Sequence, residues 1–131
     1  LLTYKTSNML FLADAHPSVI VASLTQLGYS KENPLKADFV KVSHHGSKSN
    51  NSVDMLEMID SKKYIISTNG DKHHHPNKQF LARLIHLKPT CEIYFNYASQ
   101  LEGNRIFSKQ DQIDFPNFKP LITFGNEFTI D

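Results

Sequence analysis

Three times along this chain a short apolar run gives way to a polar loop, and the loop to residues at helical spacing. Met9-Leu10-Phe11-Leu12 leads through Ala13-Asp14-Ala15 to His16-Pro17-Ser18, after which Ile20, Val21, Leu24 and Leu27 recur with helical period as far as Gly28. Phe39-Val40-Lys41-Val42 leads through the loop 44–52 to a helix over residues 53–59. Tyr64-Ile65-Ile66-Ser67 leads through the loop 68–75 to a helix whose first turn holds Pro76 and which runs to about Leu87. Pro89 stops that helix, and Glu92-Ile93-Tyr94-Phe95-Asn96-Tyr97 reads as the next strand. Strands and helices alternating in this way specify an α/β layered architecture. At the front, residues 1–5 and 9–12 joined by Thr6-Ser7-Asn8 read as a β-hairpin. At the back, residues 98–119 are largely polar, and residues 121–124 and 127–130 flank Gly125-Asn126 as a terminal hairpin.

The chain has 131 residues, of which 40% are hydrophobic and 21% charged, enough apolar content for the core of one domain. Fourteen basic against thirteen acidic residues leave no overall field that would select a nucleic acid, so such a contact would have to be local. The single cysteine, Cys91, cannot close an internal disulfide, which excludes a stapled secreted scaffold and points to a cytoplasmic setting. No run of eighteen apolar residues provides a membrane segment, and no signal-peptide pattern is present at the front. The chain opens Leu-Leu-Thr-Tyr, already inside a strand, and is therefore expected to be part of a longer polypeptide.

Five of the seven histidines lie in two of the three loops, as His44-His45 and His73-His74-His75. In layered α/β folds such strand ends converge on one rim, where ligands bind. With Asp14 these side chains form a donor set suited to Zn²⁺ and comparable ions, although polar loops rich in histidine also occur without any site. Asp14 has two readings by position: a helix cap near His16-Pro17, worth about 1 kcal/mol, or a carboxylate able to bridge two cations. Adjacent residues such as His44 and His45 point in different directions, so one imidazole can ligate while the other orients it, touches substrate or moves a proton. Gly46 permits a sharp turn; Ser47, Ser49 and Ser52 offer hydroxyls suited to phosphate oxygens, with Asn51 or Ser52 as the cap of the following helix. Three consecutive histidines cannot all bind one tetrahedral ion, so one or two of His73–His75 face the site. His86 is a solvated residue near a helix C-terminus, and Met55 and Met58 pack in the core.

Taken together, Leu10-Phe11-Leu12-Ala13-Asp14-Ala15, Lys41-Val42-Ser43-His44-His45-Gly46-Ser47 and His73-His74-His75-Pro76 resemble the second half of a metallo-β-lactamase-fold hydrolase. They are most similar to the hydrolase domains of ComEC-type competence proteins, where "TGDA", "KVPHHGS" and "GHPHP" strings occur in this order. The resemblance spans about Met9 to Leu87. It implies that residues 1–97 are the C-terminal half of an αββα sandwich, a mixed sheet with flanking helices, and that residues 98–131 extend the same domain. It also implies Asp14 as the carboxylate bridging two metals and His45 as a histidine ligand. His44, His73 and His75 become the candidate catalytic, substrate-facing groups, and Ser47 and Ser49 contact substrate. Two zinc ions, or manganese in their place, would complete the site. Ala13 replaces the glycine that usually precedes the bridging aspartate. The family's His-x-His-x-Asp-His signature, which supplies most of the ligands, occurs nowhere in this chain.

The resemblance thus implies part of a metal-dependent hydrolase that uses metal-bound hydroxide on a phosphodiester or other ester. Its missing N-terminal half is the expected partner, nucleic acid is a candidate substrate, and the isolated chain is expected to be inactive. The alternative is a non-catalytic half-domain with vestigial histidines that dimerises or binds another protein through the face its missing half would cover. A third expectation is weak metal buffering by the His73–His75 loop.

Overall fold

The computed structural model describes residues 1–97, 106, 108–114, 116 and 122–124. Strand β1 (Leu2–Tyr4) turns through Lys5, whose φ is +53°, into β2 (Ser7–Phe11), pairing Leu2 with Met9 and Tyr4 with Ser7. The sequence predicts a hairpin here, but its turn is Lys5-Thr6 rather than Thr6-Ser7-Asn8: Ser7 and Asn8 pair with Tyr4 and Thr3 in the ladder. Helix α1 (Pro17–Gln26) follows, then a two-residue strand β3 (Leu35–Lys36) and strand β4 (Phe39–Lys41). A tight turn, Ser43–Gly46, leads to α2 (Val53–Glu57), then to β5 (Ile59–Asp60) and β6 (Lys63–Ile66). Helix α3 (Lys78–Leu87), β7 (Glu92–Phe95), α4 (Lys109–Asp114) and β8 (Ile122–Phe124) complete the described elements.

The main sheet has the order β1-β2-β4-β6-β7-β8, parallel from β2 onward and antiparallel only at its β1 edge. It is a mixed sheet in an α/β fold. Each step from β2 to β7 moves one place sideways across a helix. Crossovers of one hand put consecutive helices on the same face. The core agrees: Leu10, Val40, Tyr64, Ile66, Ile93 and Phe95, alternate residues of four strands, cluster with Leu24, Leu56, Phe80 and Leu84 of the three helices. Phe80, Leu84 and Ile93 have no exposed surface, and each such side chain contributes about 1.5–3 kcal/mol. Met55 and Met58 belong to this core, as expected. Phe39 and Ile65, on the other face of the sheet, are buried outside it. A second small sheet pairs β3 with β5 in parallel, Leu35 opposite Ile59.

Several details differ from the sequence reading: α2 ends at Glu57, and Ile59, expected within it, opens β5. Pro76 is not in the first turn of α3; it follows a cis peptide bond from His75, and Asn77 is the N-cap. The last core strand stops at Phe95, leaving Asn96 and Tyr97 beyond it. Within the polar stretch lies a helix, α4, whose start is held by a reciprocal cap. Asp111 accepts hydrogen bonds from the Ser108 N–H and hydroxyl, and its own N–H donates to the Ser108 hydroxyl. Of the terminal hairpin, β8 pairs in parallel with β7, and residues 127–130 lie outside those described. Among the described residues no helix is long and apolar enough to cross a membrane.

Asp111 also pairs with Lys78 of α3 at 2.9 Å. The Lys78 ammonium and then the Ser108 donors bring its carboxyl down from 3.8 to about 2. A carboxyl depressed in the folded state stabilises above its ordinary value and loses that contribution as pH falls through the folded one. The α4–α3 contact is therefore expected to hold at pH 5 and to loosen between pH 4 and 2. Amide chemical shifts of α4 followed across that range check this, and Lys78→Ala should move the transition upward. The stabilisation itself is about 0.5 kcal/mol, as for other half-exposed pairs.

Candidate functional site

Because β2, β4, β6 and β7 are parallel, their C-terminal ends share one edge of the sheet, and Asp14, His44-His45, the loop 68–75 and Asn96-Tyr97 all follow from that edge. The three loops expected to converge do so. The ring centre of His44 lies 5.1 Å from that of His75, 6.1 Å from His45 and 6.3 Å from His73, while His73 and His75 are 5.8 Å apart. His74 is exposed, and His16 caps α1 with its ring held 3.0 Å from the Ser18 hydroxyl. His86 stands in the last turn of α3, away from this edge.

Backbone strain concentrates here. Ala13 (φ +48°), His44 (+42°), His45 (+56°) and His74 (+51°) occupy the left-handed region, and Gly46 follows at +88°. Non-glycine residues pay roughly 1 kcal/mol or more each for that conformation, so surrounding bonds must enforce it. They are visible. The buried Asn51 side chain accepts the Ser43 N–H at 3.2 Å and donates to the carbonyls of Ser43 and Ser47, both at 2.8 Å, spanning the strained residues from end to end. Arg83 of α3 donates to the Lys48 and Asn51 carbonyls at 2.6 and 3.1 Å. The Asn77 amide oxygen accepts the Lys48 N–H, and its backbone N–H donates to the Gly46 carbonyl, so the α3 cap is diverted to the histidine turn. The cap of α2 is Ser52, which accepts the Met55 N–H.

The bonding also fixes which nitrogen of His45 is free. Its Nδ1 lies 2.5 Å from the Ser67 carbonyl oxygen, which can only accept, so Nδ1 carries a proton and, in the neutral ring, Nε2 is the nitrogen with the lone pair. That is the arrangement of a metal-ligating histidine. Ser67 is in turn supported by the Asn96 amide, which donates to its hydroxyl at 2.7 Å. His75 is half-buried, with its Nδ1 buried and without a hydrogen-bond partner. Burial first, then His44, His73 and His45, lower its pKa and keep it neutral at neutral pH. Burial likewise lowers Lys41, an effect that the Asp14 carboxylate opposes.

Asp14 itself is exposed and caps nothing: the N-cap of α1 is His16, and the first turn holds no acidic residue. Ser49 is exposed, whereas Ser47 is buried with its hydroxyl accepting the Ser49 N–H at 3.3 Å. A cleft of about 410 Å³ opens beside these groups, bordered by His45, Thr68, Lys72, His73, His75 and Tyr97. A cleft of about 500 Å³ at the other end of the sheet carries Lys36, Lys63, Asp38 and Asp60 and no histidine, so the chemistry favours the first. Among the described residues no three His, Cys, Asp or Glu side chains converge to hold a metal ion. The donors on this rim, the exposed Asp14 carboxylate and the exposed His45 ring, are therefore too few to form such a site by themselves. Tyr97, Lys72 and Asn96 had no place in the sequence-derived site; Asn96 and Tyr97 follow the end of β7 and Lys72 lies in the loop after β6, and these positions on the rim are the signal that could have found them.

No protein-family model matches the chain, and no solved structure matches it. The chain is 37% identical over 88 residues to ComE operon protein 3 of Bacillus subtilis (strain 168), a match covering 61% of this chain and 11% of that protein.

Proposed function

We propose that this chain is one half of a metal-dependent hydrolase of the metallo-β-lactamase type, acting on a phosphodiester or another ester, with the remaining metal ligands supplied by a second segment. The observation that carries this reading is His45: its Nδ1–H is committed to the Ser67 carbonyl, and its bare Nε2 stands on the rim that Asp14 shares. The similarity to ComE operon protein 3 supports it to the extent of a shared competence-operon name, since the strings at Asp14, His44-His45 and His73–His75 resemble ComEC-type competence proteins. His45 and Asp14 would hold zinc or manganese, and the ion when bound supplies Lewis-acid polarisation of the scissile group. His73 and His75 face the cleft and orient substrate, and the exposed Ser49 hydroxyl lies on the adjoining loop. His75, held neutral, contacts substrate without adding charge. The buried Ser47 holds the turn.

Titrating the full chain with Zn²⁺ at neutral pH is expected to show weak binding. Asp14→Asn and His45→Gln should each weaken it about tenfold or more, a scale typical of losses around metal sites. Hydrolysis of bis(p-nitrophenyl) phosphate should appear only with metal and with the completing segment. Zinc binding that ignores both substitutions and disappears when His73–His75 are replaced would instead support metal buffering. A chain that binds no zinc and self-associates would support the non-catalytic half-domain.

A further inference from the structure

We propose that Asn50 is a positioning residue that fixes the ring of His44 with Nδ1 protonated and Nε2 bare, and that links this ring to the backbone of the Asp14 loop. The Asn50 side chain lies between two sets of partners. On one side Nδ2 is 3.3 Å from the Asp14 carbonyl and 3.4 Å from the Ala15 carbonyl; on the other Oδ1 is 3.1 Å from His44 Nδ1. Carbonyl oxygens only accept, so the amide nitrogen must face them, and the reversed amide would set its oxygen against two carbonyl oxygens. The oxygen then faces His44, and His44 Nδ1 has to be the donor. The same loop is bound to the histidine turn twice more, by the Ser43 hydroxyl on the Ala15 carbonyl at 2.7 Å and the His44 N–H on the Ala13 carbonyl at 2.7 Å. Asn50 is thus the side chain that carries the position of the Asp14 backbone to an imidazole ring.

The chemical consequence is a choice of role. A neutral His44 with a bare Nε2 accepts a proton or donates a lone pair, and cannot donate a hydrogen bond to a substrate oxygen. Its catalytic meaning rests on the hydrolase reading; the tautomer does not, and it is measured without metal or substrate. Long-range ¹H–¹⁵N NMR of the full chain, at a pH where the imidazoles are neutral, should show Nε2 as the unprotonated nitrogen of both His44 and His45. Asn50→Ala should shift His44 to a mixed or Nε2-protonated form and leave His45, held by Ser67, unchanged. Asn50→Asp keeps an acceptor beside His44 but sets a carboxylate oxygen against the Asp14 and Ala15 carbonyls, so it should keep the proton on His44 Nδ1 while loosening the tie to the Asp14 loop. A wild-type His44 protonated on Nε2, or an Asn50→Ala spectrum with His44 unaltered, overturns the proposal. The wild-type measurement decides it even where the alanine variant does not fold.

Discussion

Asn51→Ala is expected to cost about 3 kcal/mol of stability, a large share of the 5–15 kcal/mol that holds a domain of this size together. Asn51 is wholly buried, and its amide serves the N–H and carbonyl of Ser43 together with the carbonyl of Ser47. The alanine strips a buried donor of its acceptor and two carbonyls of a donor, and leaves a void where the amide was. It also frees a turn in which His44 and His45 sit at φ +42° and +56°, so the chain can relax toward ordinary conformations that no longer present both rings at the rim. Asn51→Asp separates hydrogen bonding from volume: it has the same shape but turns a carboxylate oxygen toward two carbonyls, so it should be at least as damaging. Urea unfolding of the two variants checks this, and a loss under 1 kcal/mol for either would remove Asn51 as the support of the turn.

This support was invisible in the linear pattern, and the reason is general. The order of strands and helices was legible because apolar periodicity marks each element over several residues, and because alternation of strand and helix dictates parallel neighbours. The rim followed, since Asp14, His44-His45 and the His73–His75 loop each come after such a strand. What the pattern lacks is reach. Arg83 grips a carbonyl 35 residues away, and Asn50 and Asn51 act through backbone groups that no composition signals. Asn51 and Ser52 both suit a cap by residue type; Ser52 does the capping, and Asn51 is committed to the turn instead. Strands β3 and β5 are two residues each, too short for alternation to show. Helix α4 was readable, through Ser108 and Asp111 at capping-box spacing, but its polar faces hid it among loop-like residues. Asp14 illustrates the opposite case: position alone favoured a cap, and the cap of α1 proves to be His16.

Gly46→Ala is expected to be as severe, for a different reason, and a second glycine provides its control. At Gly46 an added Cβ would stand 2.6 Å from Pro76 Cβ and 3.0 and 3.2 Å from two Phe80 ring carbons. Neither neighbour can give way. Phe80 has no exposed surface and sits among the helices, and Pro76 is a buried rigid ring. The backbone adds strain of its own, since φ is +88°. Roughly 1 kcal/mol of backbone strain and 1–3 kcal/mol of overpacking give about 3 kcal/mol, or a fall in melting temperature of about 10 °C for a chain of this length. Gly28 has nearly the same φ, +85°, yet a Cβ there would meet nothing within 4 Å. Gly28→Ala should therefore show the conformational part alone, about 1 kcal/mol and 3 °C. The difference between the two variants isolates the contact between the histidine turn and the Pro76–Phe80 segment. That contact has a functional side: His75 precedes Pro76, and Asn77 bonds to Gly46 and Lys48, so a displaced Pro76 carries His75 away from His44. In Gly46→Ala, zinc affinity or the His44 and His75 ring signals should change beyond what the stability loss explains, whereas Gly28→Ala should leave them as they are. Equal melting temperatures for the two variants would show that the turn and the third loop are not packed against each other.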